Sequence, residues 1–329
     1  MADIQFGLMM RAQFPQGDDM QVRFREMLEQ ARLADELGYA CITNGMHYSS
    51  APWQDFQQFP FLCRMMAEAP NMRLNFGLIL LSLHKPLDLA EQIATADIMS
   101  GGKVIFGVAL GYREVEFLAF GTTQRERVKR FEENLEAIKR LWTEDVVDMA
   151  GSHFTLQGAS APTKPLQKPH PPIWIGGGSQ PFEKVYGQTV TNIDPVLKRI
   201  AKYAKTWVPH SSATADMVTR DWDKIQRFMA EFGRKPGEMT KVYSNFVYVL
   251  KKGEKPEVAA PHFKVYSGMD LPYWKEFYLL GEAEEVAERV RGKVAALGGC
   301  EHVVLNPLNW GMEQLELLAG EVLPRVAKP

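Results

Sequence analysis

The sequence predicts an α/β fold, a (β/α)8 TIM barrel with insertions in the loops at the carboxyl-terminal face of its strands. Short apolar segments alternate with helix-period segments almost from end to end, as in folds whose parallel strands are joined by helices. The 329 residues suit one elaborated barrel of roughly 250 residues plus insertions. An open doubly wound sheet is the alternative, but it would normally be shorter or divided into two domains.

Eight strands are predicted from short apolar runs. The third run is nearly all apolar, as expected for a strand that is covered on both faces. The predicted strands cover residues 4–10, 39–43, 74–81, 104–108, 173–175, 206–208, 242–250 and 302–305.

Apolar residues at helical spacing fill the intervals between these strands. Met27, Ala31 and Ala34 recur on one face after the first strand, and Gly38 is placed to cap that helix. Pro86 can open the helix after the third strand. Further amphipathic helices are predicted over residues 131–142 and 286–297.

One domain, residues 1–329, is predicted, with two segments that exceed a minimal connection. These loop insertions are residues 180–193 and residues 251–274. Long loops in compact domains are often lids or binding loops, and the loops that follow strands build barrel active sites. We therefore expect residues 251–274 to form a lid and substrate wall. The ring-bearing residues of this segment are His262, Phe263, Tyr266, Tyr273 and Trp274.

Composition and charge exclude several classes of protein. Lys and Arg total 38 against 40 acids, a formal charge of −2 that gives no reason to expect nucleic acid as a partner. Three widely spaced cysteines suggest free thiols in a reducing cytoplasm, and no apolar run approaches the ~20 residues of a membrane span. The seven histidines form no HxH or HExxH pattern, so no metal is expected.

Candidate site residues lie where predicted strands end. His47 follows the second strand, where a loop histidine is placed for acid/base or hydrogen-bonding work, although a turn histidine bonded to backbone is the alternative. Glycines at 176–178, followed by Ser179, end the fifth strand, where bare backbone can approach a ligand and a serine can bind an anion. Glu114 and Glu116 follow the fourth strand and are expected to be solvated.

Five segments together resemble the bacterial luciferase-like flavin monooxygenase superfamily. They are residues 89–112, the pairs Glu116-Phe117 and Phe120-Gly121, and residues 129–154, 165–178 and 278–290. Each segment is weak alone, but all five occur in the family's order at roughly its spacing. The resemblance covers nearly the whole chain.

This resemblance implies a barrel that binds FMN non-covalently and receives it reduced from a separate NAD(P)H-dependent flavin reductase. In the family, reduced flavin reacts with O2 at the 4a carbon of the ring, and the resulting peroxide attacks an aldehyde, ketone, sulfonate or alkane. A sister branch uses a deazaflavin and transfers hydride instead. Family members are often dimers or tetramers, so a homo-oligomer is expected.

The resemblance also assigns roles to particular residues. His47 is the expected catalytic residue, as an acid/base or a hydrogen-bonding partner of the intermediate. Gly178 or Ser179 is expected to lie against the flavin phosphate. The implied cofactor-binding residues are Leu81, Ser82, Gly111, Tyr112, Gly176, Gly177, Gly178 and Ser179.

The chain departs from the family pattern at two places. Met46 stands where family members carry an acid, so the acid that would orient His47 is expected to be missing. Residues 180–193 separate the glycine run from the next helix, which is expected to begin near Asp194. Thr189 and Thr191 are therefore alternative phosphate ligands, and a weakened phosphate site is a further alternative.

A non-prolyl cis peptide bond, which the family often has at the end of its third strand, is expected within residues 79–82.

The favoured function is a two-component monooxygenase that uses reduced FMN and O2 on a small organic substrate. The aromatic residues of 251–274 favour an apolar or cyclic substrate. A deazaflavin-dependent reductase or dehydrogenase is one alternative, although the polyglutamate tail of that cofactor would favour a basic groove. A barrel that binds flavin without turnover is the other.

Overall fold

The structure is a computed structural model that describes residues 4–181, 192–267, 270–309 and 311–327. The chain forms two compact units. Unit 1 comprises Met1–Arg11, Asp19–Thr43 and Ile175–Pro329, and unit 2 comprises Ala12–Asp18 and Asn44–Trp174. The single domain over residues 1–329, with its two loop insertions, stays a prediction.

The described residues contain fourteen strands, among which all eight predicted strands are found. They are β1 (Gln5–Met9), β2 (Gln13–Pro15), β3 (Cys41–Thr43), β4 (Trp53–Asp55), β5 (Arg73–Asn75), β6 (Ile79–Leu80), β7 (Val104–Ala109), β8 (Val147–Ala150), β9 (Thr155–Ala159), β10 (Ile173–Gly176), β11 (Thr206–Val208), β12 (Thr240–Leu250), β13 (Leu279–Glu282) and β14 (His302–Pro307).

Twelve α-helices occur in the same described ranges. They are α1 (Met20–Glu36), α2 (Gln58–Glu68), α3 (Pro86–Met99), α4 (Glu114–Ala119), α5 (Arg127–Thr143), α6 (Asp194–Tyr203), α7 (Ala215–Glu231), α8 (Ala260–Ser267), α9 (Leu271–Phe277), α10 (Ala283–Ala296), α11 (Glu313–Leu317) and α12 (Leu323–Ala327). The predicted terminal signals hold: α3 begins at Pro86, α6 begins at Asp194, and Gly38 takes a φ of +80° just after α1.

Unit 1 contains a run of parallel strands in the order β11-β12-β14-β1-β3, with β13 also paired to β12. On β1, Gly7 lies between Cys41 of β3 and Val304 of β14. A Cβ on Gly7 would clash with Cys41 Sγ and lie 3.0 Å from a Val304 methyl group, so glycine lets the three strands pair without a shift of these side chains.

The segment predicted as a lid, residues 251–274, is largely helical and contributes to the core of unit 1. Phe263 is fully buried and Trp274 is 2% exposed, and their rings stack with centroids 4.8 Å apart. Tyr273 donates or accepts a hydrogen bond with Ser212 Oγ at 3.1 Å. The expectation that Phe263 and Trp274 line a substrate wall is therefore wrong. Apolar rings on helices can equally pack into the protein core, and these two do so. The side chain of Tyr266 lies outside the described residues.

Unit 2 contains the parallel strands β5, β7 and β6, and two antiparallel pairs, β2–β4 and β8–β9. The strand predicted at 74–81 is split into β5 and β6, because the Gly77 amide bonds the Asn75 carbonyl at 2.8 Å within the same segment. A non-prolyl cis peptide bond joins Gly77 to Leu78. It lies just before residues 79–82, so the predicted position was wrong.

The 3₁₀ turn Leu81–Leu83 follows β6 and is fastened to α5. Asn134 Nδ2 donates to the Leu81 carbonyl at 2.9 Å, and Arg130 Nε donates to the Ser82 carbonyl at 2.7 Å. Ser82 Oγ in turn donates to the Arg127 carbonyl at 2.8 Å. The two predicted cofactor-binding residues of this turn, Leu81 and Ser82, are fully buried, and their backbone position is set by α5.

His84, at the end of this turn, is expected to make folding stability depend on pH. Burial lowers the pKa of His84 from its ordinary 6.5 to about 4, and its Nε2 has no hydrogen-bond partner. Between pH 6.5 and about pH 4, His84 is therefore protonated in the unfolded chain but neutral in the folded chain. Stability from this group is present above pH 6.5 and falls toward pH 4, by about 3 kcal/mol in total.

Urea unfolding at several pH values checks this expectation in wild-type protein and His84→Gln. Other histidines with lowered pKa values, namely His153, His170, His210 and His262, are present in both proteins. The difference between the two unfolding free energies therefore isolates His84. Equal slopes in both proteins between pH 6.5 and pH 4 would contradict the assignment.

Candidate active site

His47 lies four residues after β3 and makes a hydrogen bond through each ring nitrogen. Nδ1 is 2.9 Å from Oε1 of Glu116, and Nε2 is 3.1 Å from the Tyr112 hydroxyl. The His47 and Tyr112 rings meet edge to face, with centroids 5.4 Å apart. With Nδ1–H donated to the carboxylate, Nε2 is left to accept from Tyr112, so the neutral imidazole is held in one tautomer.

Glu116 is the group that orients this imidazole. Its side chain lies on α4 and is fully buried, whereas the His47 side chain is 27% exposed. Oε1 also accepts a hydrogen bond from the Tyr48 amide at 2.9 Å and lies 3.6 Å from Arg113 Nη1. Oε2 is buried and has no hydrogen-bond partner. A buried carboxylate needs a nearby positive charge, which Arg113 supplies in part and a protonated His47 would complete.

Further hydrogen bonds hold the loop that carries His47. The Arg113 guanidinium donates to the carbonyls of Tyr48 and Ser49, both at 2.9 Å. Gln124 Nε2 donates to the Tyr112 carbonyl at 2.7 Å. The fork geometry of arginine thus fixes the loop after β3 against the start of α4, so both partners of His47 are held in place.

Nearby titratable groups are shifted toward their neutral forms. Burial, with a smaller contribution from the Glu116 charge, raises the pKa of Tyr48 to about 12. Burial also raises the pKa of Asp55, against smaller opposing effects from hydrogen bonds to Ser50 and Gln13. Tyr48 therefore stays neutral through the physiological range and packs as an aromatic side chain, with its ring 4.5 Å from that of Phe120.

The sequence-based reading of Glu116 was wrong. Glu116 was expected to be solvated, and an orienting acid was expected to be missing because Met46 replaces it. In the structure Met46 is 6% exposed and the acid comes from α4 instead. The Glu116-Phe117 pair was part of the family resemblance, and Phe117 is likewise fully buried, so that pair was the available signal.

The predicted cofactor-binding residue Gly111 lies beside this cluster. Gly111 has a φ of +80°, and a Cβ there would lie 3.3 Å from the Phe117 ring, so glycine lets the chain turn between β7 and Tyr112. Leu80, rather than its predicted neighbour Leu81, packs with Phe117 and Tyr48. The roles of Leu81, Ser82, Gly111 and Tyr112 toward a cofactor stay predictions.

The predicted glycine turn is a second candidate site, in unit 1. Gly177 and Gly178 have φ angles of +152° and +141°, and Trp207 Nε1 donates to the Gly177 carbonyl at 2.7 Å. The Ser179 amide donates to Asp221 Oδ2 at 2.6 Å, and Ser179 Oγ donates to Asp221 Oδ1 at 2.8 Å.

No sequence pattern singled out Asp221, which lies on α7 and is 3% exposed. The alternative phosphate ligands Thr189 and Thr191 lie outside the described residues.

Two absences can be stated for the described part of the chain. No group of three or more His, Cys, Asp or Glu residues that could hold a metal ion is found there. None of the described helices is both long and apolar enough to cross a membrane.

Comparison with known proteins gives one family. A family model described as "Luciferase-like monooxygenase" matches residues 4–269. An FMNH2-dependent dimethylsulfone monooxygenase of Pseudomonas putida is 37% identical over 98 residues, which are 29% of this chain and 27% of that protein. The oxygenase component of a flavin-dependent trigonelline monooxygenase of Acinetobacter baylyi is 28% identical over 154 residues, 46% of this chain and 42% of that protein. The chain thus aligns with less than half the length of either relative.

Among solved structures, an F420-dependent secondary alcohol dehydrogenase in complex with an F420-acetone adduct matches with a TM-score of 0.81. It is 18% identical and covers 98% of this chain and 99% of its own. At this identity the likeness shows the fold. It confirms the predicted α/β barrel of eight parallel strands and excludes the alternative, an open sheet.

Proposed function

Because the chain belongs to the luciferase-like monooxygenase family, we propose that it is the oxygenase component of a two-component, flavin-dependent monooxygenase. It acts with reduced FMN and O2 on a small organic substrate, and a separate NAD(P)H-dependent flavin reductase supplies the FMN. The P. putida and A. baylyi relatives support this choice, since one is FMNH2-dependent and the other is an oxygenase component.

The observation that carries this proposal is His47 held between Glu116 and Tyr112. An imidazole in one tautomer can take a proton on Nε2 while the buried Glu116 carboxylate stabilises the resulting cation. The Tyr112 hydroxyl oxygen lies 3.1 Å from that nitrogen, so its proton can be directed at Nε2. His47, partly exposed, is the proton-handling residue, and Glu116 positions it.

A reduced flavin, when bound, supplies the electrons and, with O2, the oxygenating chemistry. The protein then has to bind the flavin, orient the substrate and exclude water. We propose Leu81, Ser82, Gly111 and Tyr112 as cofactor contacts, with Ser82 and Tyr112 at the flavin ring. The turn of Gly176, Gly177, Gly178 and Ser179 is proposed as a further cofactor contact. Both donors of Ser179 are held by Asp221, so this residue does not fit a phosphate ligand.

The remaining features of the proposal concern assembly, location and substrate. All three cysteines are free thiols, which supports a cytoplasmic protein. We propose a homo-oligomer, as in the family. An apolar or cyclic substrate stays the preferred class, although Phe263 and Trp274 are core residues, and His262 and Tyr273 are the partly buried rings left to contact it.

Oxygen uptake and hydrogen peroxide release with reduced FMN, without an organic substrate, test the proposal. An oxygenase that protects the reactive centre from water and positions its protons is expected to delay peroxide release compared with free reduced FMN. His47→Asn should shorten that delay while the protein still binds FMN. Peroxide release at the rate of free FMN in the wild-type protein would favour the barrel that binds flavin without turnover.

The deazaflavin-dependent alternative, a hydride-transfer reductase or dehydrogenase, is supported by the likeness to the F420-dependent alcohol dehydrogenase, which reaches only the fold. The net charge of −2 does not favour a polyglutamate tail. The preformed His47–Glu116 pair argues against a barrel without turnover, since a fully buried carboxylate bonded to a partly exposed imidazole is costly to bury and is typical of functional sites.

A further inference from the structure

The turn at residues 176–179 has the geometry of an anion site. It follows the carboxyl end of a strand, its two central glycines leave the backbone bare, and Ser179 offers an amide and a hydroxyl donor. Adjacent backbone amides at such a turn make a concave surface that binds phosphate or carboxylate groups. In this chain, however, the anion on that surface is part of the protein.

Asp221 takes both donors of Ser179. Its Oδ2 accepts from the amide at 2.6 Å and its Oδ1 accepts from the hydroxyl at 2.8 Å, so each carboxylate oxygen is bonded to one donor. This is the two-point contact that an oxyanion ligand would make. A ligand phosphate can therefore reach Ser179 only by displacing Asp221.

Displacement of Asp221 is opposed by its surroundings. The side chain is 3% exposed, and a Cβ on Gly178 would lie 3.0 Å from Oδ2 and 3.5 Å from the Trp207 ring. Trp207 is itself fully buried and bonded to the Gly177 carbonyl. No ion pair to Asp221 is found among the described residues, so its carboxylate is balanced by the two hydrogen bonds from Ser179, and a phosphate nearby would face a like charge.

We propose that Asp221 sets the cofactor preference of this site, so that the chain binds unphosphorylated flavin at least as tightly as FMN. This inference rests on the proposed function, since it requires flavin to bind at all. The inference agrees with one alternative that the sequence analysis left open, namely a weakened phosphate site. Asp221 is then a specificity-determining residue: its carboxylate satisfies the turn and excludes the phosphate.

Titration of the full chain with reduced riboflavin and reduced FMN, under anaerobic conditions, tests the inference. The wild-type protein is expected to bind riboflavin as tightly as FMN or more tightly. Asp221→Asn keeps the shape and removes the charge, so it should shift the preference toward FMN by about tenfold or more. Asp223→Asn, an exposed position on the same helix, is the matched control and should leave the preference unchanged.

Ser179→Ala gives a second measurement that does not depend on the folding of the Asp221 variant. If the phosphate does not contact Ser179, this change leaves the ratio of FMN to riboflavin affinity as it is. The inference alone would be overturned if the wild-type protein preferred FMN by more than about tenfold, if Asp221→Asn left this preference unchanged, and if Ser179→Ala abolished it. Binding of neither flavin would overturn the proposed function, and the inference with it.

Discussion

Glu116→Gln is expected to lower kcat roughly 10- to 100-fold, and His47→Asn by about 10²- to 10⁴-fold, the usual range for a general acid or base. Glutamine can still accept from Nδ1–H, so the imidazole keeps its position. It cannot stabilise a positive charge on His47, because the fully buried carboxylate at 2.9 Å is gone. Steady-state turnover, with saturating reduced FMN and substrate, measures both effects.

A double variant shows whether Glu116 acts through His47. If it does, the His47→Asn, Glu116→Gln protein should be about as slow as His47→Asn alone, since the second change removes nothing further. Glu114→Gln is the control, because this acid lies on the same helix and is exposed. Losses that multiply in the double variant would contradict the positioning role and indicate that Glu116 acts independently.

Gly107→Ala is expected to lower the free energy of unfolding by about 1–3 kcal/mol, the range found for overpacked cores. A Cβ at this position of β7 would lie 2.8 Å from Gly77 Cα and 2.8 Å from Asn75 Oδ1. The first of these is backbone, which cannot turn away as a side chain could. The substitution should also lower turnover, because β7 leads directly to Gly111 and Tyr112.

Gly292→Ala is the matched control for this prediction. Gly292 lies within α10 and a Cβ there would meet nothing within 4 Å, so the change should raise stability by about 0.5–1 kcal/mol through helix propensity. Urea unfolding midpoints of the two variants should therefore move in opposite directions. A Gly107→Ala midpoint at or above that of the wild-type protein would contradict the close contact between the backbones of Gly107 and Gly77.

Periodicity in the sequence was sufficient for the fold but not for details that depend on contacts between distant segments. The alternation of apolar runs and amphipathic helices placed the eight strands, since each pattern reflects local burial. This periodicity did not reveal the break between β5 and β6, because residues 74–81 are apolar apart from Asn75 and Gly77.

The candidate site was predicted in part. His47 and Tyr112 follow separate strands, and the barrel prediction placed both at strand ends. The contact of Glu116 with His47 and the hydrogen bond that Ser179 donates to Asp221 join side chains 69 and 42 residues apart in sequence. No local pattern encodes such pairs. For the same reason, the sequence could not show that the rings of Phe263 and Trp274 stack on each other in the core instead of lining a binding site.

We propose above all that this chain binds reduced flavin beside a preformed His47–Glu116 pair. Anaerobic titration of the purified protein with reduced FMN, oxidised FMN and deazaflavin tests it most directly. We expect reduced FMN to bind at least about tenfold more tightly than either of the others. Tightest binding of the deazaflavin, or no binding of any of the three, would contradict it.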